Sequence, residues 1–235
     1  MTSATALTRS NTGTPQRRRR GWLVAAGLIL LSVIPVIGGA LRLTELSGGA
    51  AITPDNARFF AAPVPIVAHI VGATVYSLLG AFQFVPALRG RRAWHRIAGL
   101  VLIPAGLIAA LSGLWMAVFV ASAPDAGSTL LVGLRLAFGS AMAAFILLGI
   151  VAIRRRDFGR HGAWMTRAYA LGVAAGTQAI VFTIWVIGGG PTDNLTTAVL
   201  MGTAWAINAT VAEIVIRRRS RRVGTARSSG HAAVA

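Results

Sequence analysis

Four side chains in this sequence have the types and settings that do chemistry: His95, His161, His69 and Glu213. His95 and His161 stand in similar surroundings, Arg91-Arg92-Ala93-Trp94-His95-Arg96 and Arg160-His161-Gly162-Ala163-Trp164-Met165-Thr166-Arg167. Two neutral imidazoles facing each other are the axial ligands that a b-type haem needs. Flanking arginines, here Arg96 and Arg167, can hold its propionates as bidentate ion pairs. A plainer reading has each histidine capping amide groups, or lying at headgroup level beside Trp94 and Trp164. Both readings stay open on sequence grounds.

His69 belongs to a different level of the molecule, about two turns inside an apolar run. Arg135, Met116 and Met201 fall at similar depth on other runs. A methionine opposite His69 could complete a second haem site, whereas methionine in an apolar run ordinarily fills space. His69 with Arg135 also suits an anionic or protonatable ligand. Glu213 is the one acid inside an apolar run, costly there unless protonated or paired with a cation. His95, Arg96, His161 and Arg167 share its level. Gln83, Asn208, Gln178 and Thr177 add hydrogen-bonding capacity, whose usual role between membrane helices is adhesion. His69, Arg135, Gln83, Asn208 and Glu213 together form a second candidate polar set.

The elements that must position these residues are marked by arginine. All 23 basic residues are arginine. Twenty fall in four clusters: Arg9 with 17–20; Arg89, Arg91, Arg92 and Arg96; 154–156 with Arg160 and Arg167; and 217–219 with Arg221, Arg222 and Arg227. The clusters sit at alternate ends of six apolar runs of about twenty residues, the length that crosses a ~30 Å hydrocarbon core. Arginine-rich loops stay cytoplasmic, so the comb predicts six spans with both termini inside. The spans are expected at 22–43, 63–88, 95–121, 129–153, 162–187 and 195–216. A basic, disordered N-terminal tail (1–20) precedes the membrane domain (21–216), and a second disordered tail (217–235) follows it. The first run is too long for a secretory h-region and reads as a retained span.

Composition agrees: hydrophobic residues make up 55% of the 235 and charged ones 12%, with a mean hydropathy of +0.68. A soluble domain carries about a quarter charged residues. The net charge of +17 caps spans rather than forming a stripe with interleaved aromatics, which points to anionic headgroups and not to nucleic acid. The absence of cysteine removes disulfides, zinc–thiolate sites and thiolate-ligated haem or iron–sulfur clusters. There is no Gly-rich phosphate loop and no H-E-x-x-H, and no Ser/His/Asp set at one depth. No catalytic residue is assigned.

Small and polar residues recur at helical spacing. His69, Gly72, Tyr76, Gly80 and Gln83 share one face of the second span; Gly202, Ala206, Ala209 and Glu213 share one of the sixth. Such faces look inward, since lipid offers a polar side chain nothing. A faint internal repeat links the second and third spans to the fourth and fifth. An offset of 66 residues pairs His95 with His161, Arg89 with Arg155 and Gly106 with Gly172.

From the second span to the sixth, about 60–216, the sequence resembles an uncharacterised bacterial membrane family, domain of unknown function 2306. The resemblance is carried by His69, Gly80-Ala81-Phe82-Gln83-Phe84, His95-Arg96-Ile97-Ala98-Gly99, the His161–Arg167 segment, Asn208 and Glu213. Gly162 stands where many members carry arginine. The resemblance implies a multi-pass membrane protein and no established reaction. Its histidines at helix ends are similar in layout to transmembrane b-type cytochromes, an analogy of arrangement alone. The sequence thus leaves three functions: a haem b protein with a quinone or other redox partner, a small-ligand or proton-coupled transporter, or a structural or regulatory membrane component. The expected location is the inner (plasma) membrane, embedded in the lipid bilayer.

Overall fold

A computed structural model describes residues 15–54, 56–120 and 126–232, with side chains between 19 and 221 apart from 55 and 121–127. The expected N-terminal tail lies outside these residues up to 14, as do Asp55 and 121–125. Among the described residues all regular structure is helical: α1 (Pro15–Ser47), α2 (Ala57–Ala61), α3 (Pro63–Ala81), a 3-10 turn (Phe82–Phe84), α4 (Pro86–Arg89), α5 (Arg92–Phe119), α6 (Ala126–Arg154), α7 (Phe158–Gly172), α8 (Ala174–Ile187) and α9 (Asn194–Ala232). Six segments of the described residues are long and apolar enough to cross a membrane: Arg19–Ser47, Pro63–Phe84, Arg92–Phe119, Ser128–Arg154, Phe158–Ile187 and Asn194–Arg221.

The boundaries follow local chemistry. The second span ends at Phe84 because Pro86 forces the preceding residue out of the helical region; Val85 sits at φ −81°, ψ 113°. The fourth span ends in a reversal: Asp157 N–H reaches back to Ala152 O at 2.9 Å over Arg156, which takes the left-handed conformation at φ 57°, the geometry of a Schellman cap. Asp157 then caps α7 by accepting from the Arg160 amide at 2.9 Å. At the opposite end Asp193 accepts from the Thr196 amide at 2.7 Å, and this bond holds its carboxyl below the usual aspartate range. The fifth span is two helices, α7 and α8, meeting at Val173 (φ −91°, ψ 5°). The last helix runs on to Ala232, past the level at which 217–235 reads as a tail.

The packing is that of membrane helices. α3 lies chiefly against α5 and α6 against α7, so each arginine-loop hairpin is a packed pair. α5 meets α6, α9 covers α6, α7 and α8, and α1 closes against α3 and α8. α7 touches α3, α5, α6 and α9 and so fills the middle of the arginine-rich half. Contacts are built on small residues. Ala98, Ala105, Ala109 and Ala110 of α5 are buried, and a Cβ on Gly72 of α3 would meet the Ala105 carbonyl and the Ala109 amide. Backbones can approach this closely only where side chains are absent. The centre is aromatic: the rings of Tyr76 and Tyr169, the chain's two tyrosines, lie 5.7 Å apart, and Phe84 packs at a tilt beyond Tyr169 at 5.1 Å. Leu30, Leu100, Phe119, Ile184 and Ile187 are more than two-thirds bare or close to it. On a soluble protein such patches would drive association; on six spans they are the lipid face.

Candidate functional site

His95 and His161 each sit in the first turn of the second helix of a hairpin, and each ring turns back onto the first helix. His95 Nδ1 bonds Gln83 Oε1. His161 Nδ1 bonds Gly149 O at 2.9 Å. In both cases the acceptor lies 12 residues upstream, so the 66-residue offset that pairs the histidines also pairs Gln83 with Gly149. The faint sequence repeat is thus a repeat of hydrogen bonds as well.

The chemistry follows from the acceptors. The Gly149 carbonyl can only accept, and the Gln83 amide accepts in the orientation that turns Oε1 to the ring, so Nδ1 is the donor in each case and, in the neutral ring, Nε2 keeps its lone pair. Donation of Nδ1–H to a carbonyl is how proteins fix the tautomer and orientation of a metal-ligating histidine. Both rings are half-buried, and the helices that carry them, α5 and α7, touch. The amide nitrogen of Gln83 is buried without a partner.

The two flanking arginines differ. Arg96 is exposed. Arg167 is committed: its Nε and Nη2 bind Glu213 Oε1 and Oε2 at 2.5 and 3.0 Å, and its guanidinium stacks on Trp164 at 4.7 Å. This bidentate pair ties α9 to α7, and it is the interhelical partner that an acid in an apolar run requires. One and a half turns deeper, Asn208 donates to Ala170 O at 2.9 Å and accepts from Thr177 Oγ1 at 2.8 Å. Ala170 lies just before the α7–α8 break, where a regular i→i+4 ladder is interrupted, so Asn208 supplies the bond the broken helix lacks.

The five residues of the second polar set do not gather in one place. Gln83 serves His95, Asn208 serves the α7–α8 break, and Glu213 serves Arg167. His69 lies about 20 Å along its helix from Gln83, from a rise of 1.5 Å per residue. There its Nδ1 meets Ala109 O at 2.8 Å, with the ring packed over Gly113. Arg135 lies at a similar depth on another span, α6. His69 and Arg135 are also partners under the 66-residue offset.

Sequence alone missed two contributors. Gly149 acts through a backbone carbonyl and carries no side-chain signal; only the offset from Gln83 marks it. Tyr169 donates to Ser77 O at 2.7 Å in the buried centre, and its one signal was the scarcity of tyrosine.

Residues 66–216 match the family model described as "Predicted membrane protein (DUF2306)". No curated protein and no solved structure matches the chain. The matched region is well over half the sequence and contains both histidine hairpins, the Arg167–Glu213 pair and Asn208. This chain belongs to the DUF2306 family of predicted membrane proteins.

Proposed function

We propose that this multi-pass membrane protein is a b-type haem protein of electron transfer, with His95 and His161 as the residues that would hold the haem iron at the arginine-rich end. The observation that carries the reading is the shared tautomer: each ring donates Nδ1–H to an oxygen of its own hairpin and keeps an Nε2 lone pair. A haem held by these residues would supply reversible one-electron transfer within the membrane, to or from a quinone or a protein partner.

The residues of this chain do the rest. Gln83 and the Gly149 carbonyl hold the imidazoles in one tautomer and raise their basicity. Arg96 is the exposed guanidinium beside His95 and takes a propionate carboxylate. Arg167 contributes by position: engaged with Glu213, it locks α9 over α7 and keeps the helix that carries His161 in place. Orientation follows from charge, since arginine-rich ends stay cytoplasmic. The site then faces the cytoplasm, with both termini on that side of the inner membrane.

The test is haem content and optical spectra of the full chain purified in detergent, with haem supplied during expression. A Soret band accompanied by an α band that sharpens on dithionite, lost or converted to a high-spin spectrum in both His95→Ala and His161→Ala and kept in His69→Ala, is the expected result. Absence of haem from the wild-type protein overturns the proposal.

A further inference from the structure

A glycine inside a helix is less favourable than alanine there, so its presence calls for a reason. In most of these spans the reason is contact. A Cβ at Gly72, Gly106, Gly172 or Gly176 would collide with a neighbouring helix, and the helices approach closely because it is missing. Others have open surroundings because they face outward. Gly27, Gly38 and Gly133 lie on exposed helix faces, and Gly49 and Gly189 lie in exposed turns at positive φ. Gly99 and Gly162 fit neither group. Among the described glycines whose Cβ would meet nothing within 4 Å, these two alone are half-buried.

Both stand at the level of the histidine pair. Gly99 follows His95 by four residues, one turn on along the same side of α5, and Gly162 follows His161 directly in α7. The 66-residue offset pairs Gly99 with Met165 and Gly162 with Arg96. In each pair one hairpin has a long side chain where the other has none. Met165 uses its length to close its own hairpin, since a Cβ on Gly149 would meet the Met165 sulfur at 2.7 Å. At Gly99 no side chain makes such a closure, and room is left one turn from His95. The polar groups at this level decide what suits the room. His95 and His161, when neutral, keep an Nε2 lone pair, and the amide nitrogen of Gln83 is buried without a partner. A lipid chain offers these groups nothing. A flat apolar ring with a metal at its centre and carboxylates at its edge suits both the room and the groups.

We infer that Gly99 and Gly162 are the residues that seat the haem: their missing side chains leave the room for a macrocycle whose iron His95 and His161 hold. This rests on the haem reading above and adds to it the two positions that decide whether the ring fits.

The experiment places leucine, a good helix former, in the full chain purified in detergent. Gly99→Leu, Gly162→Leu and the control Gly133→Leu are each measured twice, by the thermal unfolding midpoint without haem and by the rate of haem loss to apomyoglobin after loading. Open space accepts a leucine, so all three haem-free midpoints stay at or above the wild-type value. Gly99→Leu and Gly162→Leu lose haem about 10- to 100-fold faster than wild type, the range expected when a side chain is forced into a filled contact. Gly133→Leu, at an equally open but exposed glycine, loses it at the wild-type rate. The inference is overturned when either of the first two variants retains haem as wild type does, when Gly133→Leu loses it as fast as they do, or when their haem-free midpoints fall. A wild type that takes up no haem overturns the reading beneath it as well, whereas a haem-binding wild type with equally retentive leucine variants overturns this inference alone.

Discussion

Three histidine rings in this protein share one habit: Nδ1 faces an oxygen, which in the neutral ring leaves Nε2 with its lone pair. For His95 that acceptor is a side chain, so it can be removed. Gln83→Leu is expected to leave the fold intact, free the ring of His95 and lower haem retention roughly 10- to 100-fold, the usual cost of deleting a partner of a ligating histidine. Haem dissociation into apomyoglobin measures this, and an unchanged dissociation rate would show that Gln83 does not position the ring. The Arg167–Glu213 pair is a separate, structural matter. With side chains 24% and 37% exposed its contribution is discounted for screening, and Glu213→Gln should cost about 1–2 kcal/mol of unfolding free energy. Arg167→Ala added to that background should cost little more, since the pair is already broken; full additivity would mean the two residues act independently. Glu213 and Arg167 were legible in the sequence as an acid needing a cation at one depth. That Gln83 belongs with His95, and not with His69, was not legible, because helical spacing fixes a face and leaves the depth of each partner on the neighbouring helix open.

The elements are two similar hairpins, α3–α5 and α6–α7, closed by α1, α8 and α9. Their kinship was visible in the sequence at three residue pairs only. The structure adds Gln83 with Gly149 and His69 with Arg135, pairs in which the residue type has changed while the position has not. The spans themselves were legible from hydropathy, since length and apolarity fix them. The break at Val173 was not, because neither proline nor a polar run marks it, and the compensating Asn208 sits on another helix. Asn208→Ala should therefore lower stability by about 1 kcal/mol, read by thermal or denaturant unfolding in detergent; no change would show that Ala170 O finds another donor. Glycines separate close contacts from tolerant positions. A Cβ at Gly176 would run into the backbone carbonyl of Leu31 in α1, whereas at Gly99 it meets nothing within 4 Å. Gly176→Ala is expected to cost roughly 1–3 kcal/mol through forced separation of α1 and α8, and Gly99→Ala to be neutral or to gain up to about 1 kcal/mol from helix propensity. Equal effects at the two positions would contradict the packing described.

At the scale of the whole molecule, charge and chemistry divide along the membrane normal. One end carries most of the arginines, both hairpin histidines and the Arg167–Glu213 pair; the other carries His69, Arg135, Arg58 and Arg42. The absence of cysteine makes the orientation directly measurable by single-cysteine labelling in intact cells. A membrane-impermeant maleimide should modify Ser47→Cys at once and Ser220→Cys only after permeabilisation, and the reverse pattern would place the arginine-rich end outside. Orientation decides which compartment the His95–His161 level communicates with; it does not decide whether the two rings share one iron. That question is settled most directly by the spin state of the oxidised, haem-loaded protein in electron paramagnetic resonance. The wild type is predicted to give a low-spin bis-imidazole signal, and His95→Ala and His161→Ala each to give a high-spin signal or no haem. A high-spin wild type, or a low-spin signal surviving in either variant, would contradict ligation by this pair.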